Sequence, residues 1–281
     1  MKIGIVTDSP SDIPADIVER YRIEVVPAIL VIEGKEYVDG VDISREEFYR
    51  RLPGMRRPPT TAAPSPTDFT VRYQKLLSDG CEHIISIHIA EKLTSIPNFA
   101  RHAAREFPEK VTVVESGSLT LGSGFQVLAA AEASEEGKEL GAILEVIRST
   151  REHIRVGAAL DTMDYLRRSG RVPAAVTAIG GMLSIKPVVE LCEGVVKPLS
   201  AARTTRHATE ALLNFLLSLG PLERLAILHT SAEGRAQEFL EMLMTSEARN
   251  RVPREIRIVN VTSLIGTHIG PNGLGFAAVK A

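Results

Sequence analysis

Cysteine is scarce in this sequence. Cys81 and Cys192 stand alone, without any CxxC, so neither a zinc site nor a disulfide framework is indicated. Long apolar runs are missing as well: no segment approaches the ~18 uninterrupted apolar residues that a membrane span needs. The opening Met1-Lys-Ile-Gly-Ile-Val6 has only a short apolar run before Thr7-Asp8, far too short for a signal peptide. Neither sign of charge dominates. A net charge of −2 and a pI near 6.4 lack the basic domain of nucleic-acid binders. These absences predict a cytoplasmic protein with no nucleic-acid partner and no membrane span.

Signatures of common enzymes are absent too. No GxSxG supports a nucleophile elbow, and Gly34-Lys35 is followed by Glu36, so there is no Walker A. Gly273-Leu-Gly275-Phe-Ala-Ala278 matches GxGxxA, but it ends too near the terminus for the helix and later acid of a dinucleotide site. Asn260-Val-Thr262 is a glycosylation triplet inside an expected strand of a cytoplasmic protein, and carries no meaning there. The chain shows no internal repeat and no low-complexity segment.

What is present is the material of an ordinary globular protein. Hydrophobic residues make up 44% and charged residues 24%, and 281 residues suffice for two domains or one large one. Ile3–Val6 reads as a buried strand, and Pro14 opens an amphipathic helix. Val25–Ile32 reads as a second strand, turned by Glu33-Gly34-Lys35. Ser44-Arg-Glu-Glu47 is a capping box for a helix ending near Leu52. Pro53–Pro66 should be a loop over the sheet, and Ser65-Pro66 with Asp68 starts a helix that Gly80 ends. Strand Ile84–Ile89, helix Ile96–Phe107, strand Val111–Val114 and helix Leu119–Ala133 follow. Such alternation predicts a doubly wound α/β domain with a mainly parallel sheet.

The rhythm changes after a helix over Leu140–Ile154, which places a domain boundary near residue 155. Residues 1–155 form the doubly wound domain, and 156–281 a second α/β domain with a mixed sheet. The second begins with a strand over Arg155–Leu160 and helices over Thr162–Arg167 and Ala174–Leu183. Strands Ile185–Leu191 and Val195–Ser200 then make an antiparallel hairpin across Cys192-Glu-Gly194. Helix Thr205–Leu219, strand Leu225–His229, helix Glu233–Leu243 and two final strands complete it.

Three constellations carry candidate chemistry. Gly266-Thr-His268-Ile-Gly270-Pro-Asn-Gly273-Leu-Gly275 sets four glycines and a proline around one histidine. Such a loop offers bare N–H groups to an anion beside an imidazole; the plainer alternative is a turn before an edge strand with an incidental His. Second, Thr7-Asp8-Ser9, Thr94-Ser95 and Ser116 all follow strands whose C-terminal ends converge on one crevice. Each of them is also an ordinary helix cap. Third, Arg167, Arg168, Arg171, Arg203 and Arg206 are either solvated or a local anion patch.

With these residues in place, the chain resembles the DegV family of bacterial fatty-acid-binding proteins along nearly its whole length. The matching pieces are Thr7-Asp8-Ser9 with Asp12, Thr61-Ala-Ala-Pro64-Ser65-Pro66, Leu93-Thr94-Ser95-Ile96 and Glu115-Ser116. Ser169-Gly170-Arg171, Ile185-Lys186-Pro187, Glu193-Gly194, Arg203-Thr204 and Gly266-Thr-His268-Ile-Gly270-Pro271 follow in family order. The chain departs from the family at Ala62-Ala63, Ser95-Ile96 and Glu115, where the family has Ser-Gln, Gly-Thr and Asp.

The resemblance implies two α/β domains gripping one long-chain fatty acid. It implies a carboxylate held by Thr61, by Thr94 with Ser95 beside it, by His268 and by the glycine N–H groups around Gly270. It further implies a carrier rather than an enzyme, with no cofactor besides the bound fatty acid. An ATP-dependent fatty-acid kinase is the implied partner, with Arg171 and Arg203 near the portal. The alternative class is an acyl hydrolase or transferase using His268 as base and Thr94 or Ser95 as nucleophile. That alternative needs a residue to orient the His, and the sequence identifies none. A third option is an α/β module with no ligand.

Overall fold

The computed structural model describes residues 1–171 and 185–281. It opens with β1 (Ile3–Asp8), α1 (Ala15–Tyr21) and β2 (Glu24–Val26). A small antiparallel sheet follows, formed by β3 (Ile29–Ile32), β4 (Lys35–Val38) and β5 (Thr60–Ala62). Helix α2 (Arg45–Arg51) packs on it through Phe48 and Tyr49, and Ser44 caps it by accepting the Glu47 N–H at 3.1 Å. Then come α3 (Pro66–Ser78), β6 (His83–His88), α4 (Ile96–Ala104), β7 (Val111–Glu115), α5 (Leu121–Glu135) and α6 (Leu140–His153).

Strands β2-β1-β6-β7 pair in that order, all parallel. Alternation along β6 builds both faces: Ile84 joins Phe69, Tyr73 and Ile96 under α3 and α4, while Ile85 and Ile87 join Val127 and Ile143 under α5 and α6. This is the expected doubly wound arrangement.

The rest comprises β8 (Ile154–Ala159), α7 (Asp164–Ser169), β9 (Lys186–Cys192), β10 (Val195–Ala202) and α8 (Thr205–Ser218). It continues with β11 (Leu222–His229), α9 (Glu233–Thr245), β12 (Arg257–Asn260), α10 (Ser263–Ile269) and β13 (Leu274–Lys280). The sheet order is β10-β9-β8-β13-β11-β12. Every neighbouring pair is antiparallel except β11–β12, so the sheet is mixed. Leu212, Leu216, Phe239 and Leu243 from α8 and α9 bury one of its faces.

Helix α5 covers the other face. Leu121 and Phe125 pack with Val156, Leu228 and Ala277 of the mixed sheet, while Val127, Ala130 and Ala131 pack toward the parallel sheet. A helix apolar all round belongs in an interior, and α5 is shared by both sheets. We propose the division into 1–155 and 156–281: the parallel sheet is complete before it, and β8, the first strand of the mixed sheet, opens at Ile154, two residues ahead of the cut.

Three expectations need correction. The single strand over Val25–Ile32 is two strands in different sheets, because Pro27 has no N–H to continue a ladder. The loop Pro53–Pro66 contains β5, whose Thr61 pairs with Leu30. The Gly-rich run around His268 is in part helix α10, capped by the Thr262 hydroxyl. The expected helix over Ala174–Leu183 lies outside the described residues.

Candidate functional site

Helix α10 puts His268 where it is. Its first free N–H, that of Thr262, donates to Asp12 Oδ1 at 2.8 Å, and Arg45 pairs with the same carboxylate at 3.1 Å. The Tyr49 hydroxyl donates to the carbonyls of Val261 at 3.1 Å and Thr262 at 3.3 Å. Gly266 lies against the Tyr49 ring so closely that a Cβ would come within 2.5 Å of it. Gly270, at φ 79°, abuts Tyr165 in the same way. Two glycines one turn apart thus let a short helix nest between two tyrosines.

At the end of α10, His268 Nε2 lies 3.1 Å from Thr61 Oγ1. Thr61 reaches it from β5, held in place by β3. Thr94 and Ser95 arrive from the loop between β6 and α4, and Arg171 from just beyond α7. All five line one cavity of about 490 Å³, whose apolar wall includes Leu119, Ile265 and Ile269. The same three residues also border a smaller cavity of about 60 Å³, walled by apolar groups from Val156, Leu160, Leu228 and Val261. A polar mouth therefore adjoins an apolar interior, the usual make-up of a small-molecule site.

Burial holds His268 well below the ordinary histidine value, down to about 4, and the Arg171 guanidinium adds to the effect. The ring is neutral at pH 7. Asp12 moves the other way: burial pushes its carboxyl up to about 6 and outweighs the nearby Arg45. Asp39, another buried carboxyl facing Arg45, is also raised by burial.

Not every expected residue reaches the cavity. The Gly270 N–H donates to Gly266 O at 2.8 Å and so closes α10. Arg203 is exposed beyond β10 and is not among the lining residues. Thr7, Asp8 and Ser116 are buried. Asp8 belongs to a chain that sequence reasoning missed. Tyr73 donates to Ser86 at 2.8 Å, Ser86 lies 2.7 Å from His88 Nε2, and His88 Nδ1 lies 3.0 Å from Asp8 Oδ2. The order is that of a hydrolytic triad, but Ser86, His88 and Asp8 are each 0% exposed. No substrate reaches it, and its product is rigidity: Asp8 Oδ2 also accepts the Ile89 N–H at 3.1 Å, at the foot of the Thr94 loop. Its only sequence signal is the alternation Ser86-Ile-His88.

Among the described residues no carboxylate sits against His268 to orient it as a base, and no cluster suits a metal ion. No described helix is long and apolar enough to cross a membrane. A second groove, of about 410 Å³, runs between α1, α5 and β11. Its arginines Arg20, Arg224 and Arg257 are already paired with Glu135, Glu132 and Asp16, so the cavity at His268 is the better candidate.

Comparison with known proteins gives a family and a fold. The family model described as "Uncharacterised protein, DegV family" matches residues 2–281. A DegV domain-containing protein of Streptomyces coelicolor is 34% identical over 280 residues, covering 97% of this chain and 96% of its own. A DegV family protein from Thermus thermophilus, described by its fatty acid binding, superposes with a TM-score of 0.92 at 32% identity, with 100% of both chains covered. DegV from Bacillus subtilis, described as a fatty acid binding protein, gives 0.87 at 26% identity, again with 100% of both chains covered.

The raised Asp12 value makes a testable statement about stability. A carboxyl that binds its proton more tightly when folded stabilises fully below the unfolded value of 3.8. That contribution is lost as pH rises through about 6. Asp12→Asn cannot titrate. Unfolding free energies of the two proteins should therefore diverge by up to about 3 kcal/mol between pH 4 and 7, the wild type losing stability relative to the variant. Parallel curves would show that Asp12 is ionised throughout.

Proposed function

The chain belongs to the DegV family, and from that premise we propose that it binds one long-chain fatty acid, with its carboxylate at Thr61, Thr94 and His268. Ser95 stands beside them. The observation that carries this reading is the adjoining of a polar mouth, where Thr61 and His268 meet, and a wholly apolar cavity bordered by Leu119, Ile265 and Ile269. The similar proteins from Thermus thermophilus and Bacillus subtilis, both described as binding fatty acid, support it.

A carboxylate taken out of water needs several donors, or it protonates instead. Two hydroxyls and an imidazole supply them at one end of the cavity. The tail needs only apolar walls. Burying ~14 methylenes at ~0.8 kcal/mol each sets an upper limit near ~11 kcal/mol before the costs of association. The tail supplies most of the affinity, and the mouth fixes which end faces out.

In this reading the protein is a carrier that presents the carboxylate to an ATP-dependent fatty-acid kinase. Arg171 at the rim and exposed Arg203 serve docking or phosphate neutralisation. Arg203→Ala should leave fatty-acid affinity within about twofold and slow phosphorylation, as expected of an exposed charge outside the ligand's reach. Loss of affinity with unchanged phosphorylation would reverse that assignment.

The head-group residues differ in a measurable way. A bound carboxylate favours the imidazolium, so binding raises the His268 value from about 4 and takes up a proton. Titrating a fatty acid into wild type and His268→Ala near pH 5 should show a loss of about 10- to 150-fold, the size of a charge-assisted hydrogen bond. Above pH 7 the gap should shrink toward the few-fold loss of a neutral bond. Thr94→Val should cost about 2- to 13-fold at either pH. Unchanged affinity in both variants would take the head group away from these residues.

A further inference from the structure

The β9–β10 hairpin belongs to the mixed sheet, yet its tip is docked on loops of the first half. Lys92 Nζ donates to Glu193 O at 3.0 Å, and the Gly194 N–H donates to Gly117 O at 2.7 Å. Arg151, on α6, holds the Glu193 carboxylate through two of its nitrogens, Nε at 3.3 Å from Oε1 and a terminal nitrogen on Oε2. Its other terminal nitrogen donates to the Glu115 carbonyl at 2.8 Å. The Glu115 carboxylate completes the seat, since Oε1 accepts the N–H groups of Glu91 at 3.1 Å and Gly117 at 3.0 Å.

The seat is shaped for this tip. Gly194, at φ +71°, carries no side chain where a Cβ would lie 3.0 Å from that of Ala90 and 3.3 Å from that of Lys92. Gly117, at φ +65°, leaves room for the Arg151 guanidinium, which a Cβ would strike. The seam also borders the ligand cavity: Lys92 lines it from one side and Val196, just past the tip, from the other.

The two ends of the hairpin differ in how they are held. Val188 and Val189, near its base, are 1% and 7% exposed and belong to the core. The tip contributes polar contacts instead, and the Glu193 side chain is 58% exposed. Half-exposed ion pairs exchange readily with water and contribute little each, and segments with few buried apolar contacts open at small cost. The base is fixed while the tip is cheap to release.

We propose that Glu193 and Arg151 are positioning residues that latch the hairpin tip across the seam between the two halves, and that release of this latch sets how fast the cavity's ligand enters and leaves. The proposal rests on the reading of the cavity as a fatty-acid site. A latch changes the barrier and not the end states, so its signature is a matched change in both rate constants.

The test uses the full chain and a fluorescent polyene fatty acid in stopped flow. In Glu193→Ala, association and dissociation should both quicken by about 1.5- to 5-fold, the scale of one half-exposed ion pair, with Kd within about twofold of wild type. A second measurement uses salt: raising it from about 0.05 to 0.5 M screens a half-exposed ion pair, so both wild-type rates should quicken while those of Glu193→Ala stay level. Unchanged rates in Glu193→Ala, a salt response that the variant keeps in full, or a weaker Kd carried by dissociation alone, would overturn the latch. Should wild type not bind the probe, the fatty-acid reading fails. Amide exchange at 193–196 then decides the latch alone: faster exchange in Glu193→Ala supports it, and no change overturns it.

Discussion

The site depends on how a seven-residue helix is held. So short a helix has little stability of its own, since nucleation costs more than its few hydrogen bonds return. Its position must come from its surroundings. Asp12 takes the Thr262 N–H at one end, Tyr49 takes up the space left by Gly266 and Tyr165 that left by Gly270. The tyrosines and the carboxyl come from three separate elements of the chain, so His268 is fixed only once those elements have assembled. The histidine is a product of the tertiary structure, not of its local sequence.

Electrostatics at the mouth follow from the same burial. A neutral imidazole beside an exposed arginine leaves the empty site with hydroxyl and imidazole dipoles rather than fixed charge on its inner wall. In the proposed function, such a wall would gain its charge only with the anionic head group, through proton uptake. The cost of burying charge is concentrated elsewhere, at Asp12 and Asp39 around Arg45. Those groups anchor α10, and together they couple the cavity's geometry to the junction of the small antiparallel sheet with the mixed one.

Much of this was legible in the sequence where the signal is local. The capping residues Ser44 and Ser65, the alternation of strands and helices, and the Cys192-Glu-Gly194 hairpin all rest on neighbours within a few positions. Thr61, Thr94, Ser95, Arg171 and His268 could be singled out, and the fold brings them to one cavity. What escaped required partners far along the chain. Pro27 is the exception, a local break between β2 and β3 that lies within the expected strand itself. Thr262 looked like part of a meaningless triplet, yet it caps α10 and tethers it to Asp12. Gly266 and Gly270 suggested a loop because their purpose, close contact with Tyr49 and Tyr165, involves rings about 100 or more positions away in sequence. The Gly270 N–H is occupied by the Gly266 carbonyl, the bond that closes α10.

The central claim is that the cavity behind His268 holds a fatty acid. Its most direct test is organic extraction of the purified protein followed by mass spectrometry and quantitation against the chain. The account predicts one long-chain fatty acid per chain, in place of a mixture of phospholipids or other apolar metabolites. An extract free of fatty acid, from protein that also fails to retain an added one through gel filtration, would contradict it.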